Sequence, residues 1–171
     1  KTGAHGTRPA QIAHSFKLLN NAYDIAPHKA AFELGDSYEK GVGTPMNFAK
    51  AAELYQVAAN AGNMTAKGRL GRMYLDGRGV RRDVHKAREL LENSIASNSM
   101  TTLTSLAEIY EHGTGVPRNM EVAIDYYTQA ADKGHKSSTK KLADIYARSK
   151  DAEKAFSWNL KAANLNHNSS M

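Results

Sequence analysis

Apolar residues along most of this chain recur at spacings of three and four, and the whole pattern repeats every 36 residues. The clearest marker is a Leu-Gly/Ala-x-x-Tyr step, found at Leu34-Gly35 to Tyr38, Leu70-Gly71 to Tyr74, Leu106-Ala107 to Tyr110 and Leu142-Ala143 to Tyr146. Such spacing puts the side chains on one helix face, and a period of this length marks stacked helical hairpins rather than a closed enzyme core. Glycine loops follow the first three steps, at Gly41-Val42-Gly43, Gly77-Arg78-Gly79 and Gly113-Thr114-Gly115. Glycine reaches positive φ at little steric cost, so the chain can reverse there into an antiparallel second helix. Asn47, Asp83, Asn119 and Asp151 come next, each placed to cap that second helix.

Small residues on the second helices let a neighbour approach closely: Ala51 with Ala58-Ala59, Ala123 with Ala130-Ala131, and Ala155 with Ala162-Ala163. The second unit breaks step, offering Ala87 and then Ser94-Ile95, while Asn93, Ser97, Asn98 and Ser99 dilute its apolar face. The weakest packing is expected there. The fourth unit lacks the glycine loop and runs Arg148-Ser149-Lys150-Asp151, which predicts a tighter turn. Before the first unit, Ile12, Phe16, Leu19 and Tyr23 keep helical spacing behind Pro9, a residue suited to a first helical turn. The expected organisation is a loose tail over 1–8, a capping helix over 9–27, repeats over 28–63, 64–99, 100–135 and 136–167, and a tail over 168–171. The capping helix aligns with second helices, as the second half of an earlier repeat.

The string Leu-Gly-x-x-Tyr-x-x-Gly-x-Gly-Val-x-x-Asp-x-x-Lys-Ala-x-x-Leu, read from Leu70 to Leu90, resembles the Sel-1-like repeat, a relative of the tetratricopeptide repeat. Lys154-Ala155-Phe156-Ser157-Trp158-Asn159-Leu160-Lys161-Ala162-Ala163 is similar to that family's second helix. The resemblance implies an all-α fold, a right-handed superhelical α/α solenoid of antiparallel hairpins with about nine helices here. A tetratricopeptide array is the nearest alternative, and the 36-residue period argues against its 34-residue one. Many relatives staple their hairpins with cysteine pairs; this chain has no cysteine and cannot.

Composition changes the picture little. No apolar run approaches the length of a membrane span, and 41% hydrophobic residues suffice for a core. Charge is more informative. Residues 1–27 carry +2, and the four successive units carry −1, +4, −3 and +4. Lys67, Arg69, Arg72, Arg78, Arg81 and Arg82 form one basic cluster, and Lys136, Lys140 and Lys141 another. They raise an alternative function, electrostatic binding of RNA or acidic glycans through repeats 2 and 4, but the acidic third unit interrupts any continuous track. Nucleic acid is therefore not the expected partner.

Catalytic motifs are absent. The seven histidines show no His-Glu-x-x-His or paired ligand spacing, and the glycine loops lack the Gly-Lys-Ser/Thr ending of a phosphate loop. No catalytic residue, cofactor or metal is expected. Two sequons, Asn63-Met64-Thr65 and Asn168-Ser169-Ser170, are short enough to arise by chance.

What the resemblance does imply is a concave surface lined by first helices. In tetratricopeptide geometry the inward positions are Phe32, Asp36, Glu39 and Lys40; Gly68, Arg72, Leu75 and Asp76; Thr104, Glu108, Glu111 and His112; and Lys140, Asp144 and Arg148. Phe32 and Leu75 are the apolar anchors of that set, with ordinary packing as the competing explanation. The function expected is a non-enzymatic scaffold or adaptor binding a partner protein or peptide. Family members serve mostly as scaffolds in bacterial envelope, host-interaction and eukaryotic quality-control systems. Partner identity, oligomeric state and location stay open, with an exported bacterial setting favoured by that analogy alone.

Overall fold

The computed structural model describes residues 8–167, which fold into nine α-helices joined by short turns. Residues 1–7 and 168–171, read above as tails, lie outside the described residues, as does the second sequon. Arg8 opens the first helix instead of ending a tail. In order the helices are α1 (Arg8–Ile25), α2 (Pro27–Lys40), α3 (Phe48–Asn60), α4 (Met64–Asp76), α5 (Val84–Glu92), α6 (Met100–His112), α7 (Met120–Asp132), α8 (Lys136–Arg148) and α9 (Ala152–His167). They pair as consecutive hairpins, α2 with α3, α4 with α5, α6 with α7 and α8 with α9. Helix α1 lies against α2, while α3 packs on α4 and α7 on α8. The chain divides into two compact units, one ending at Ser97 and the other beginning at Asn98.

The helix boundaries follow local chemistry. Gly41, Gly77 and Gly113 end α2, α4 and α6 in the left-handed conformation, with φ of 70°, 70° and 65°. The next helix then starts on a side-chain cap. Asn47 accepts from the Lys50 amide at 2.9 Å, Asp83 from Lys86 at 3.0 Å, Asn119 from Val122 at 3.1 Å and Asp151 from Lys154 at 3.1 Å. Asn63 caps α4 in the same way at 2.9 Å, so the first sequon's asparagine has a structural use. In the fourth repeat Ser149 and Lys150, the latter at φ 62°, suffice to turn the chain.

Each anchor leucine is in the core: Leu34, Leu70, Leu106 and Leu142 are at most 1% exposed, which fixes the register of all four repeats. The small residue after the leucine marks helix–helix contact. A Cβ on Gly35 would sit 3.0 Å from the Tyr55 ring, and one on Gly71 would sit 2.8 Å from Leu91 Cγ. The second loop glycine is tighter still. A Cβ on Gly79 would lie 2.3 Å from the carbonyl of Phe48, at the start of α3, and one on Gly43 would lie 2.9 Å from the Ile12 carbonyl in α1. Each of these loops therefore seats directly on the helix that precedes its own hairpin, α1 for Gly43 and α3 for Gly79.

Helix α5 stops at Glu92, where α3 and α7 continue through their alanine pairs. Ser94 is fully buried and its hydroxyl donates to the Leu91 carbonyl at 2.8 Å, while the Ser97 hydroxyl donates to the Ser94 carbonyl at 2.6 Å. Serine hydroxyls compete for backbone acceptors in this way. The result is a 3-10 turn over Ile95–Ser97 in place of the last helical turn.

Candidate functional site

The first helices α2, α4, α6 and α8 carry the sequence-predicted surface residues, and the structure divides those residues sharply. Some of them are structural. Glu39 accepts from the Tyr55 hydroxyl at 2.6 Å and from Arg69 Nη1 at 2.9 Å. Asp36 adds a longer ion pair, its Oδ1 lying 3.4 Å from Arg69 Nη2, and pairs with Lys40 at 2.6 Å. Two repeat periods later the same triangle returns with one substitution. Glu111 accepts from the Tyr127 hydroxyl at 2.8 Å and pairs with Lys141 Nζ at 2.8 Å. Tyr55 and Tyr127 are buried, and a buried hydroxyl needs such an acceptor.

The electrostatics agree with that geometry. Burial, aided by the bond to Glu39, raises the Tyr55 hydroxyl far above the ordinary tyrosine range. For Glu111 burial alone would raise the carboxyl, but hydrogen bonds from Lys141 and Tyr127 outweigh it and hold the pKa below the ordinary value. Arg69 likewise stays charged, since Tyr55, Glu39 and Asp36 outweigh its partial burial.

Three of the predicted surface residues are wholly or partly buried. Leu75 is not an exposed anchor: it is only 9% exposed and belongs to the core. It occupies the register position of Glu39 and Glu111, which point into the hairpin and not out of it. Glu111 is buried for the same reason and is committed to Tyr127 and Lys141. Phe32 is half-buried, with its ring centroid 5.8 Å from that of Tyr55, so it fills its own repeat. Arg72 and Asp76 pair with each other at 2.8 Å.

Other predicted residues do converge, within the unit beginning at Asn98. Thr104, Glu108 and His112 of α6, Tyr127 of α7, and His135, Ser137, Ser138 and Lys141 at the start of α8 enclose a pocket of about 430 Å³. His135 caps α8, its Nδ1 accepting from the Ser138 amide at 3.3 Å. His112 Nδ1 lies 2.9 Å from the Glu108 carbonyl, and its ring is exposed. Lys140 is exposed at a second hollow lined by Lys136, Ser137, Asn159 and Ala162, and Asp144 is exposed on the same helix.

Tyr127 is not singled out by the sequence pattern of its own repeat, and Lys141 stands out there only as part of a basic cluster. The signal that reveals them is the recurrence of Glu, Tyr and a cation at matching register in repeats 1 and 3. The repeated tyrosines of the Leu-x-x-x-Tyr step are half-buried and engaged: Tyr38 meets Phe16 edge-on, Tyr110 stacks on Tyr126, and Tyr74 accepts from Lys86 at 2.8 Å. Among the described residues no group of three or more His, Asp or Glu is placed to hold a metal ion, and no helix is long and apolar enough to cross a membrane.

The basic cluster of repeat 2 is largely used internally. Arg69 and Arg72 are ion-paired, Arg78 lies 4.3 Å from the Phe48 ring centroid, and Arg82 donates to the Leu75 carbonyl at 3.0 Å.

Comparison with known proteins places this geometry. The Sel1 repeat pattern matches residues 28–63, 66–99, 103–135 and 142–167, more than half of the chain. A Sel1 repeat protein from Oxalobacter formigenes is similar in structure, with a TM-score of 0.78 and 27% identity over 89% of this chain and 62% of that one. The protective antigen c5321 of uropathogenic Escherichia coli strains gives 0.75 and 25% over 89% of this chain and 34% of its own. The immunity protein Pa5087 of Pseudomonas aeruginosa shares the fold at a TM-score of 0.61 and 20% identity, over 94% of this chain and 60% of that one. The chain thus spans less than two thirds of the length of each. No curated protein matches the sequence.

Proposed function

Because the chain belongs to the Sel1 repeat family, we propose that it is a non-enzymatic scaffold that holds a partner protein or peptide against the first helices of its hairpins. The observation that carries this reading is the open pocket of about 430 Å³ between α6 and α8, where Glu108 and His112 of the predicted surface stand at the rim. A pocket built on helices rather than loops offers a preorganised surface, and a rigid surface loses less entropy when a partner docks. Repeat folds of this class bind chiefly through such helix-lined faces.

Affinity capture from the native source with the intact chain tests the proposal, run beside Arg72→Ala and Glu108→Ala. Both variants should keep the thermal midpoint nearly unchanged while Glu108→Ala retains less partner. Equal retention by the parent and both variants would remove the groove reading. The alternative, an electrostatic binder of RNA or acidic glycans through repeats 2 and 4, draws less support because Arg69, Arg72, Arg78 and Arg82 already have intramolecular contacts. A salt titration with labelled oligonucleotides separates the two, since phosphate binding loses affinity steeply with salt.

A further inference from the structure

Repeats 2 and 4 carry the same net charge of +4 and use it differently. In repeat 2 the arginines hold the fold: Arg69 and Arg72 are ion-paired, Arg78 lies over the Phe48 ring and Arg82 donates to the Leu75 carbonyl. In repeat 4 two lysines face a hollow of about 440 Å³ between the first two turns of α8 and the middle of α9, lined by Lys136, Ser137, Lys140, Asn159 and Ala162. Among the described residues the side chains of Lys136, Ser137, Lys140 and Asn159 make no hydrogen bond or ion pair, and all four are exposed. Three carboxylates of the same unit are already committed to other lysines, Glu111 to Lys141 at 2.8 Å, Asp132 to Lys161 at 2.6 Å and Asp151 to Lys154 at 3.2 Å. The hollow is thus positive and its polar groups are uncommitted.

The geometry points to this hollow as the seat for glutamate or aspartate side chains in an acidic segment of the partner protein. This inference rests on the scaffold reading and names the chemistry of the partner. Two ammonium groups, a hydroxyl and a carboxamide present donors from both walls, and a carboxylate has several acceptor sites to receive them. Opposite charge across an interface also steers encounter and rejects wrong partners. Two observations favour a polypeptide over a phosphate polymer. Phe156, three residues before Asn159 and so on the same face of α9, is 70% exposed, and Leu160, one turn after Phe156, is 53% exposed. They put an apolar shelf next to the donors, which suits a segment whose carboxylates neighbour an apolar side chain. The basic surface is also short: Asp144, one turn beyond Lys140 on α8, is exposed, so a phosphate backbone following that helix would meet a carboxylate.

The test uses the full chain and a pentapeptide of four glutamates around one leucine, blocked at both ends, with the glutamine analogue as control, followed by amide NMR shifts in about 0.15 M salt. The expected result is saturable shifts at Lys136, Ser137, Lys140 and Asn159 with the acidic peptide, and binding weaker by about tenfold or more with the glutamine one. Lys136→Gln combined with Lys140→Gln should weaken the acidic peptide by about tenfold or more, whereas Lys17→Gln combined with Lys29→Gln, which removes the same charge from α1 and α2, should leave it unchanged. Asn159→Asp, a near-isosteric change that sets a carboxylate opposite the lysines, should weaken it similarly and serves as the second variant. Equal binding of the two peptides, or binding that survives both hollow variants, would overturn the inference. So would oligouridylate that binds these residues more tightly than the peptide does. Partner capture that is unchanged in both hollow variants would also overturn it while leaving the scaffold reading intact. Peptide binding in the hollow with no partner captured would do the reverse.

Discussion

Repeat 1 and repeat 3 are two versions of one machine part. Both hold a buried tyrosine on a glutamate, and both tie that glutamate to a cation on the next hairpin, Arg69 in one and Lys141 in the other. Repeat 2 shows that the polar triangle is not obligatory, because the same register positions read Leu75, Leu91 and Ser105. Leu75 and Leu91 are buried, and Leu91 packs on Gly71 where Tyr55 packs on Gly35. An α/α hairpin thus accepts either an apolar or a polar bolt between its helices. The polar one adds directional demands, and those demands hold the tyrosine ring in a fixed orientation.

The largest expected effect tests whether the two frames are equally built. Leu34→Ala and Leu142→Ala each remove a core side chain that is at most 1% exposed, and each should cost about 2 to 5 kcal/mol in urea denaturation. A cost near zero for either would mean that its repeat does not share the common core. Next comes the bolt itself. Glu111→Ala strands the Tyr127 hydroxyl and Lys141, an expected loss of about 1 to 3 kcal/mol. Installing the repeat 2 set, Glu111→Leu with Tyr127→Leu and Lys141→Ser, should recover most of it, because removing every member leaves no buried polar group unpaired. A triple variant weaker than Glu111→Ala would show that repeat 3 needs its polarity.

Acidity distinguishes the same two repeats. The Glu111 pKa is depressed by folding, so its contribution is present above the ordinary carboxylate value of 4.5 and is lost as pH falls through the lower folded value. Tyr55 is shifted the other way, so its contribution is present below the ordinary value of 10.0 and is lost as pH rises towards the higher folded value. Thermal midpoints should therefore fall at both ends, with Glu111→Gln flattening the acid limb and Tyr55→Phe the alkaline one. Exchange of those two assignments would contradict the networks described. The smallest effects are those of the caps. Asp83→Ala and Asn119→Ala should each cost about 1 kcal/mol by calorimetry. The loss should be felt more in helicity at α5, which has 9 residues against 13 in α7.

Much of this architecture is legible in the sequence because the period overdetermines it. Four leucines in register, three loop glycines and four cap residues each point to the same boundaries, and the short turn after Arg148 follows from the missing glycine loop. The break of step at Ser94-Ile95, where an alanine pair is replaced, falls where α5 is cut short, though the sequence pattern alone does not give the helix length. The polar triangle is not, because Glu39 and Glu111 read as solvent-facing charges until a tyrosine 16 residues on is seen to bury against each. The clue was comparative: a position that carries Leu75 in one repeat and glutamate in two others is an interior position with a partner. Idealised groove geometry turns the Leu75 register outward, whereas helix packing here tucks it under.

Gly79 leaves no room for even a methyl group against the backbone of Phe48, a residue of the preceding repeat. A substitution there would be felt as a misfit by the neighbour and not by the repeat that carries it. The loop and its seat must therefore change together, and such a chain grows or shrinks by duplicating or deleting whole modules. A loop copied without the helix beneath it would have nowhere to rest.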